Sequence, residues 1–286
     1  MMSYQHPNLG SSDRDNYAVS IVMSEIVAIV VAVLFFILVI TITLLIARVS
    51  KCRDVVTGGG GGAKHKRNRF LKSVIKYSKS VPESFDFGLF EIAPGNVSLY
   101  SSLLPWHIAD VNAALRNEFP DIPPGTITDA TSHIGMDSTN FLKVFPTSTV
   151  TAVELDPNIA KILKRNGNVA TKQLKLPKSS FRAVNAEASD WIKNHDVDDL
   201  VFFDPPWEAP GGGTHAMMLG ETPMADLVST CLDRGAKVVI VKLSSGANLD
   251  ALDNAVGRTA VRYPIKNAKN SNRPRPSFWL MAYRQN

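Results

Sequence analysis

Five short apolar or β-branched runs punctuate the chain: GTITDA, STVTAVEL, SFRAVNA, DLVFFD and AKVVIVKL. Helix-length stretches separate most of them, among them PNIAKILKRNGNVA and MADLVSTCLDRG. Alternation of this kind has one common solution, a mostly parallel sheet whose connecting helices lie on both faces. Two further strand-like runs, AVRYPI and SFWLMAYR, come near the end and are joined by a basic, Asn/Pro-rich loop. That loop favours an antiparallel hairpin at the sheet edge. Ahead of the first strand, SLYSSLLPWHIADVNAALRNEF reads as a helix pair broken at Pro105. Ile108, Val111, Ala114 and Leu115 fall there at helical spacing. The expectation is an α/β domain over residues 80–286.

A different kind of segment precedes it. Residues 1–19 form a short polar tail, and from Ile26 to Ala47 there is no charge. As a helix this run rises about 33 Å, enough to cross a hydrocarbon core of roughly 30 Å. A transmembrane helix is therefore expected at 20–47, with Glu25 at its outer edge. The N-terminal side carries only Arg14, whereas Arg48, Lys51, Arg53 and then KHKRNR follow the run. By the positive-inside rule the C-terminal domain faces the cytosol, and the sequon at Asn96 stays unused. TGGGGGA (57–63) is a flexible tether. From Arg48 to Lys79 there are ten Lys/Arg and one acid, so this linker holds +9 of a chain whose total is +5. Next to a membrane helix, such a run suits anionic lipid first and nucleic acid second. The two cysteines, Cys52 and Cys231, form no CxxC pair, and so argue for neither a zinc site nor a disulfide framework. No metal is expected.

In sheets of this class, ligands bind beyond the carboxyl ends of the strands near the switch point. Three such ends stand out. In ITDATSHIGMDSTNF a strand ends at Asp129, a turn holds Gly135, and a helix begins near Ser138. Glycine lets a ligand approach the backbone, and a helix start offers unpaired N–H groups. In TVTAVELDP the strand ends in Glu154 and Asp156, followed by Pro157. Asp156 reads as the cap of the next helix. Glu154 has no such local task and suits a ribose, whose hydroxyls a carboxylate can accept. In VFFDPPWEAPGGG an apolar strand runs into an acid, two prolines, a tryptophan and a glycine-rich loop. Asp204 supplies an acceptor, the prolines fix the backbone that carries the Pro205 carbonyl, and Trp207 offers a flat face. EAPGGGTHAMM reads as a mobile lid.

Asp-Pro-Pro-Trp after an apolar strand resembles the (D/N/S)PP(Y/W/F) motif of class I S-adenosylmethionine-dependent methyltransferases that methylate exocyclic amines. Within them the chain is most similar to trimethylguanosine synthases, which act on the guanine amino group of an RNA cap. DATSHIGMDS matches their first motif at Asp129, Ala130 and Gly135, with conservative Ile134, Asp137 and Ser138. AVELDP resembles the second motif, and PPWEAP resembles PPWGGP. The resemblance spans roughly 85–286 and implies a Rossmann-like methyltransferase fold, with the membrane segment outside it. It also implies S-adenosylmethionine as cofactor. Asp129 and Gly135, with Ala130 beside them, are expected to line its methionine part, and Glu154 its ribose. The adenine amine falls to Asn185 or Glu187 in VNAEA. Asp204, Pro205 and Trp207 would serve the reacting base, and Trp106 stands where cap-methylating relatives place substrate-binding elements. His133 and Met136 depart from the family, which has glycine there, and a side chain at 133 is placed to crowd the cofactor.

The implied partner is capped RNA or another nucleic acid, with adenine as the second acceptor base. A membrane anchor is unusual for such enzymes and suggests a viral or compartment-tied protein. The rival reading is a non-catalytic membrane scaffold that keeps the fold and binds RNA. His107, His195 and His215 are isolated and read as surface or structural residues. From Arg258 to Asn286 there are seven Lys/Arg and no acid, a segment that suits RNA phosphates or a solvated basic face.

Overall fold

The computed structural model describes residues 71–76, 78–81, 85–93, 103–206, 217–268 and 276–285, all within the unit Gly59–Asn286. The helix expected at 20–47, the glycine tether, Asn96, Trp207 and most of the lid lie outside these residues. Among the described residues no helix is long and apolar enough to cross a membrane.

The strands are β1 (Thr126–Asp129), β2 (Thr149–Glu154), β3 (Phe181–Asn185), β4 (Leu200–Phe203), the short pair β5 (Met218–Leu219) and β6 (Thr222–Pro223), then β7 (Val238–Ser244), β8 (Val261–Ile265) and β9 (Phe278–Arg284). Seven of them form one sheet in the order β3-β2-β1-β4-β7-β9-β8. The first five in that order run parallel, and β9 and β8 close the edge as an antiparallel hairpin. This is a Rossmann-like α/β sheet, and it confirms the expected alternation and hairpin. The chain moves outward from β1 to β3, then returns to place β4 on the other side of β1. The β1–β4 gap is therefore the switch point.

The helices are α1 (Ile108–Glu118), α2 (Met136–Val144), α3 (Pro157–Leu174), α4 (Ala188–Asn194), α5 (Met224–Asp233) and α6 (Leu249–Val256). Residues 94–102, which hold most of the first half of the helix pair expected around Pro105, lie outside the described residues. Pro105 itself opens a short turn, Pro105–His107, that runs straight into α1, because proline's missing N–H is harmless at a helix start. Asp156 caps α3 by accepting from the Asn158 and Ile159 amides, and Pro157 takes the first turn, as expected.

The central strands β4 and β7 are buried on both faces, so their residues divide by parity between two cores, whereas β3 at the sheet edge stays half-exposed. In β4, Leu200 and Phe202 join Ile127, Leu115 and Phe141 on one side. Val201 and Phe203 join Met224, Val228 and Leu232 on the other. Each such side chain contributes about 1.5–3 kcal/mol through burial. Val74 is fully buried in the first core, ahead of the boundary expected at residue 80.

Candidate active site

Asp129 closes β1 at the switch point and is fully buried. Its carboxylate accepts from Ser138 Oγ at 2.5 Å and from the Thr131 amide at 3.3 Å. Burial pushes the Asp129 carboxyl up to about 7, with Asp137 as the next cause. The Ser138 and Thr131 hydrogen bonds act against that rise.

The turn after β1 needs two left-handed residues. His133 has φ 48° and Gly135 has φ 90°. Gly135 precedes α2, and its left-handed backbone favours glycine; a Cβ added there would also lie 2.6 Å from Leu163 Cδ1 and push that side-chain end aside. His133 adopts a conformation that glycine would hold at lower energy. Its ring Nδ1 is buried without a hydrogen-bond partner among the described residues, and burial lowers its pKa. Met136 does not crowd the site, because its side chain packs into the first core. Asn166 of α3 clamps the turn from behind. Its amide donates to Ile134 O at 2.8 Å and to Glu91 O at 3.0 Å, while its oxygen accepts from the Glu91 amide at 2.8 Å.

Glu154 closes β2. Contrary to expectation it does have a local task, accepting from the Asp156 amide at 2.8 Å. Burial still raises its pKa, against the backbone N–H groups of Asp156 and His133 that hold the anion. The carboxylate sits half-buried at the end of β2.

Other expected contacts are reassigned by their surroundings. Ala130 is buried in the second core, and its amide donates to Phe202 O at 2.9 Å. It shapes the cleft rather than offering a polar group to it. Asn185 donates to the Glu154 and Leu155 carbonyls, both at 2.8 Å, locking the ends of β2 and β3 together. What it can present to a ligand is its side-chain oxygen. Glu187 caps α4, accepting from the Asp190 amide at 2.8 Å and from Ser189 Oγ at 2.5 Å. Helix capping accounts for Glu187 without a ligand, so Asn185 is the better partner for an adenine amine. Trp106 is only 7% exposed and belongs to the first core. A base cannot stack on a ring so buried, and the substrate role expected for Trp106 is withdrawn.

Asp204 follows β4 directly across the switch point from Asp129. Its amide donates to Thr131 Oγ1 at 2.6 Å, tying the two strand ends. Pro205 is buried next to it. Sequence reasoning missed the partner of this acid. Lys242 of β7 is 2% exposed and donates to Asp204 Oδ2 at 2.8 Å and to Asp137 Oδ2 at 3.3 Å. Its ammonium also lies 5.1 Å from the centre of the Phe278 ring. Burial pulls the Lys242 pKa down, but Asp137 and Asp204 outweigh it and hold it above the usual lysine value. The one sequence signal was a lysine inside an otherwise apolar strand run.

His107 packs edge-on against Phe278 at 5.0 Å. Neither ring nitrogen has a hydrogen-bond partner among the described residues. Burial and then the Lys242 charge lower its pKa to about 4. Between pH 6.5 and 4 the unfolded imidazole binds a proton that the folded one refuses, so His107 weakens the fold as pH falls through that window. Asp129 has the opposite sign. Its folded carboxyl keeps a proton up to about 7 while the unfolded one releases it at 3.8, so its contribution is lost as pH rises between those values. The two slopes oppose each other where the windows overlap. Relative to the parent, His107→Phe is expected to gain stability toward acid, and Asp129→Asn to gain stability toward pH 7. Each gain should be on the order of 1–3 kcal/mol. Thermal melts of both variants from pH 4 to 7 measure it, and parallel curves would contradict the assignment.

No protein-family model and no curated protein sequence matches the chain. Solved structures do resemble it. One is a SAM-dependent methyltransferase from Neisseria gonorrhoeae (21% identity over 62% of this chain and 66% of that one, TM-score 0.41). Another, from Agrobacterium tumefaciens, is also a SAM-dependent methyltransferase (14% identity, 68% of this chain and 66% of that one, TM-score 0.49). A third is a Thermus thermophilus 16S rRNA N2 G1207 methyltransferase in complex with AdoMet and guanosine (12% identity, 68% of this chain and 45% of that one, TM-score 0.44). Part of each of those proteins therefore has no counterpart in this chain. At these identities the likeness is one of fold.

Proposed function

We propose that this chain is an S-adenosylmethionine-dependent methyltransferase acting on an exocyclic amino group of a nucleobase. Guanine N2 of an RNA cap is the first candidate and adenine N6 the second. The observation that carries the reading is the pairing of strand ends at the switch point. Asp129, Gly135 and Glu154 stand on the β1–β2 side, and Asp204 with Pro205 follows β4, joined to the first turn through Thr131.

The residues present fit the cofactor. Gly135 brings backbone to the cleft without a Cβ, Met136 turns into the core, and His133 Nδ1 is a buried polar atom lacking a partner among the described residues. Asp129 would face the methionine part, Glu154 the ribose and Asn185 the adenine amine. When bound, S-adenosylmethionine supplies an electrophilic methyl group. The chain's own task is to present the acceptor nitrogen. An exocyclic amine delocalises its lone pair into the ring. Asp204 and the Pro205 carbonyl, accepting its two hydrogens, favour a pyramidal nitrogen whose lone pair is aimed. Proline removes a competing donor and fixes the backbone angle. Trp207 completes the proposal as a stacking face for the base.

The rival scaffold reading draws on His133, whose left-handed backbone replaces the expected glycine. Anchoring through residues 20–47 is part of the proposal and rests on the uncharged run from Ile26 to Ala47. RNA contact through the basic C-terminal segment has less support. Arg262 pairs with Asp250 and Asp253, and Arg284 with Glu118, so two of its cations serve the fold.

The test uses the full chain in detergent. Calorimetry with S-adenosylmethionine is expected to show one site, and labelled methyl transfer is expected onto methylated-cap RNA in preference to uncapped adenine-containing RNA. Absence of cofactor binding would favour the scaffold. Binding with transfer only to adenine would move the acceptor from guanine.

A further inference from the structure

Lys242 is a buried charge to which the reaction described above gives no task. It lies within β7, whose other residues from Val238 to Leu243 are buried and apolar. Replacing a buried ion pair by apolar side chains is often neutral or stabilising, so a lysine here is a poor stability device. Its surroundings point to another purpose. Asp204 reaches it from the end of β4 and Asp137 from the first turn of α2. Asp129 of β1 interacts with both of those acids. His107, at the start of α1, lies near enough to feel the lysine charge, and Phe278 of β9 lines the remaining side. Two largely buried carboxylates, Asp204 and Asp137, therefore share one ammonium, with the Asp129 carboxyl beside them.

We propose that Lys242 is the positioning residue of the methyl-acceptor site, anchoring Asp204 Oδ2 and supplying the countercharge that lets Asp204 present an anionic oxygen to the acceptor amine. The inference rests on the amino-methylation reading and deepens it. Without the ammonium, a carboxyl crowded by two other acids in a dry site takes up a proton. A protonated Asp204 would offer a donor to an amine that is itself a donor, and the aligning hydrogen bond would be lost. The hydrogen bond from Lys242 also fixes the rotation of the carboxylate, so its second oxygen points along one direction only.

The test compares the parent full chain with Lys242→Met, Lys242→Arg and Asp204→Ala, following kcat and KM from pH 5.5 to 9.5 and cofactor affinity by calorimetry. Lys242→Met is expected to lower kcat at pH 7 by about tenfold or more and to move the acidic limb upward by roughly one pH unit or more, recovering in part at high pH. Cofactor affinity should stay within about threefold. Lys242→Arg keeps the charge and is expected to keep the parent's pH profile with a reduced kcat, and it carries the test if the methionine variant does not fold. An unshifted acidic limb in Lys242→Met, or a shifted one in Lys242→Arg, would overturn the positioning role. Full activity in Asp204→Ala would instead overturn the amino-methylation reading, so the two failures are distinguishable.

Discussion

Asp204→Ala is expected to reduce methyl transfer by about 10²–10³-fold while leaving cofactor binding nearly intact. The magnitude is that of removing one preorganised partner from a developing charge in a water-poor site. The selectivity follows from position. Asp204 follows β4, whereas the residues assigned to the cofactor close β1, β2 and β3 or lie in the turn after β1. The link between the two groups is the Asp204 amide on Thr131, which an alanine retains. Asp204→Asn should do little better. Its single acceptor oxygen would be drawn to Lys242 at the position now 2.8 Å away, leaving an NH2 toward the amine. Single-turnover transfer of a labelled methyl group, with affinity measured in parallel, checks both variants. A kcat within threefold of the parent would remove Asp204 from the reaction.

Much of this arrangement was legible along the chain because it is local. The central strands β4 and β7 announce themselves as short apolar runs, since burial on both faces removes the alternation of a half-exposed strand. The cap of α3 needs only Asp156 and the residues directly after it. Gly135 is legible as well, because a tight turn between a strand end and a helix start calls for a residue that adopts left-handed backbone readily. What stayed hidden depends on contacts remote in sequence. Lys242 meets partners 38 and 105 residues away, and the apolar run around it signals burial without naming either partner. Asn166 looks like a solvated helix residue, yet it bonds across 32 and 75 residues to hold the first turn. The local bond of Glu154 to the Asp156 amide is hidden too, because it is a side-chain choice that spacing does not dictate. Trp106 misled because an aromatic before the first strand suits a ligand and a core equally well. Only packing separates those two fates.

The other large effect belongs to Gly167, and it connects the packing to the cleft. A glycine inside a helix ordinarily costs about 1 kcal/mol relative to alanine, so replacing it should stabilise. Here α3 approaches β3 so closely that a Cβ at 167 would lie 2.1 Å from the Phe181 ring carbons. The ring and the helix must separate, and overpacking of that kind costs about 1–3 kcal/mol. Gly167→Val adds the poor helical rotamers of a β-branched residue. A net loss of about 3 kcal/mol is expected, which for a domain of this size lowers Tm by roughly 6–12 °C. The neighbouring residue gives the loss a second consequence. Asn166 holds the Ile134 carbonyl, so a displaced α3 loosens the turn that carries His133 and Gly135. Gly167→Val should therefore weaken S-adenosylmethionine binding although residue 167 touches no ligand. Phe181→Ala removes the obstruction, and the double variant should be more stable than the two single losses predict by about 1–2 kcal/mol. Melting temperature and cofactor affinity measured around that cycle decide the matter. Recovery of both together would tie the helix position to the turn, whereas recovery of stability alone would mean that the first turn holds its shape without Asn166.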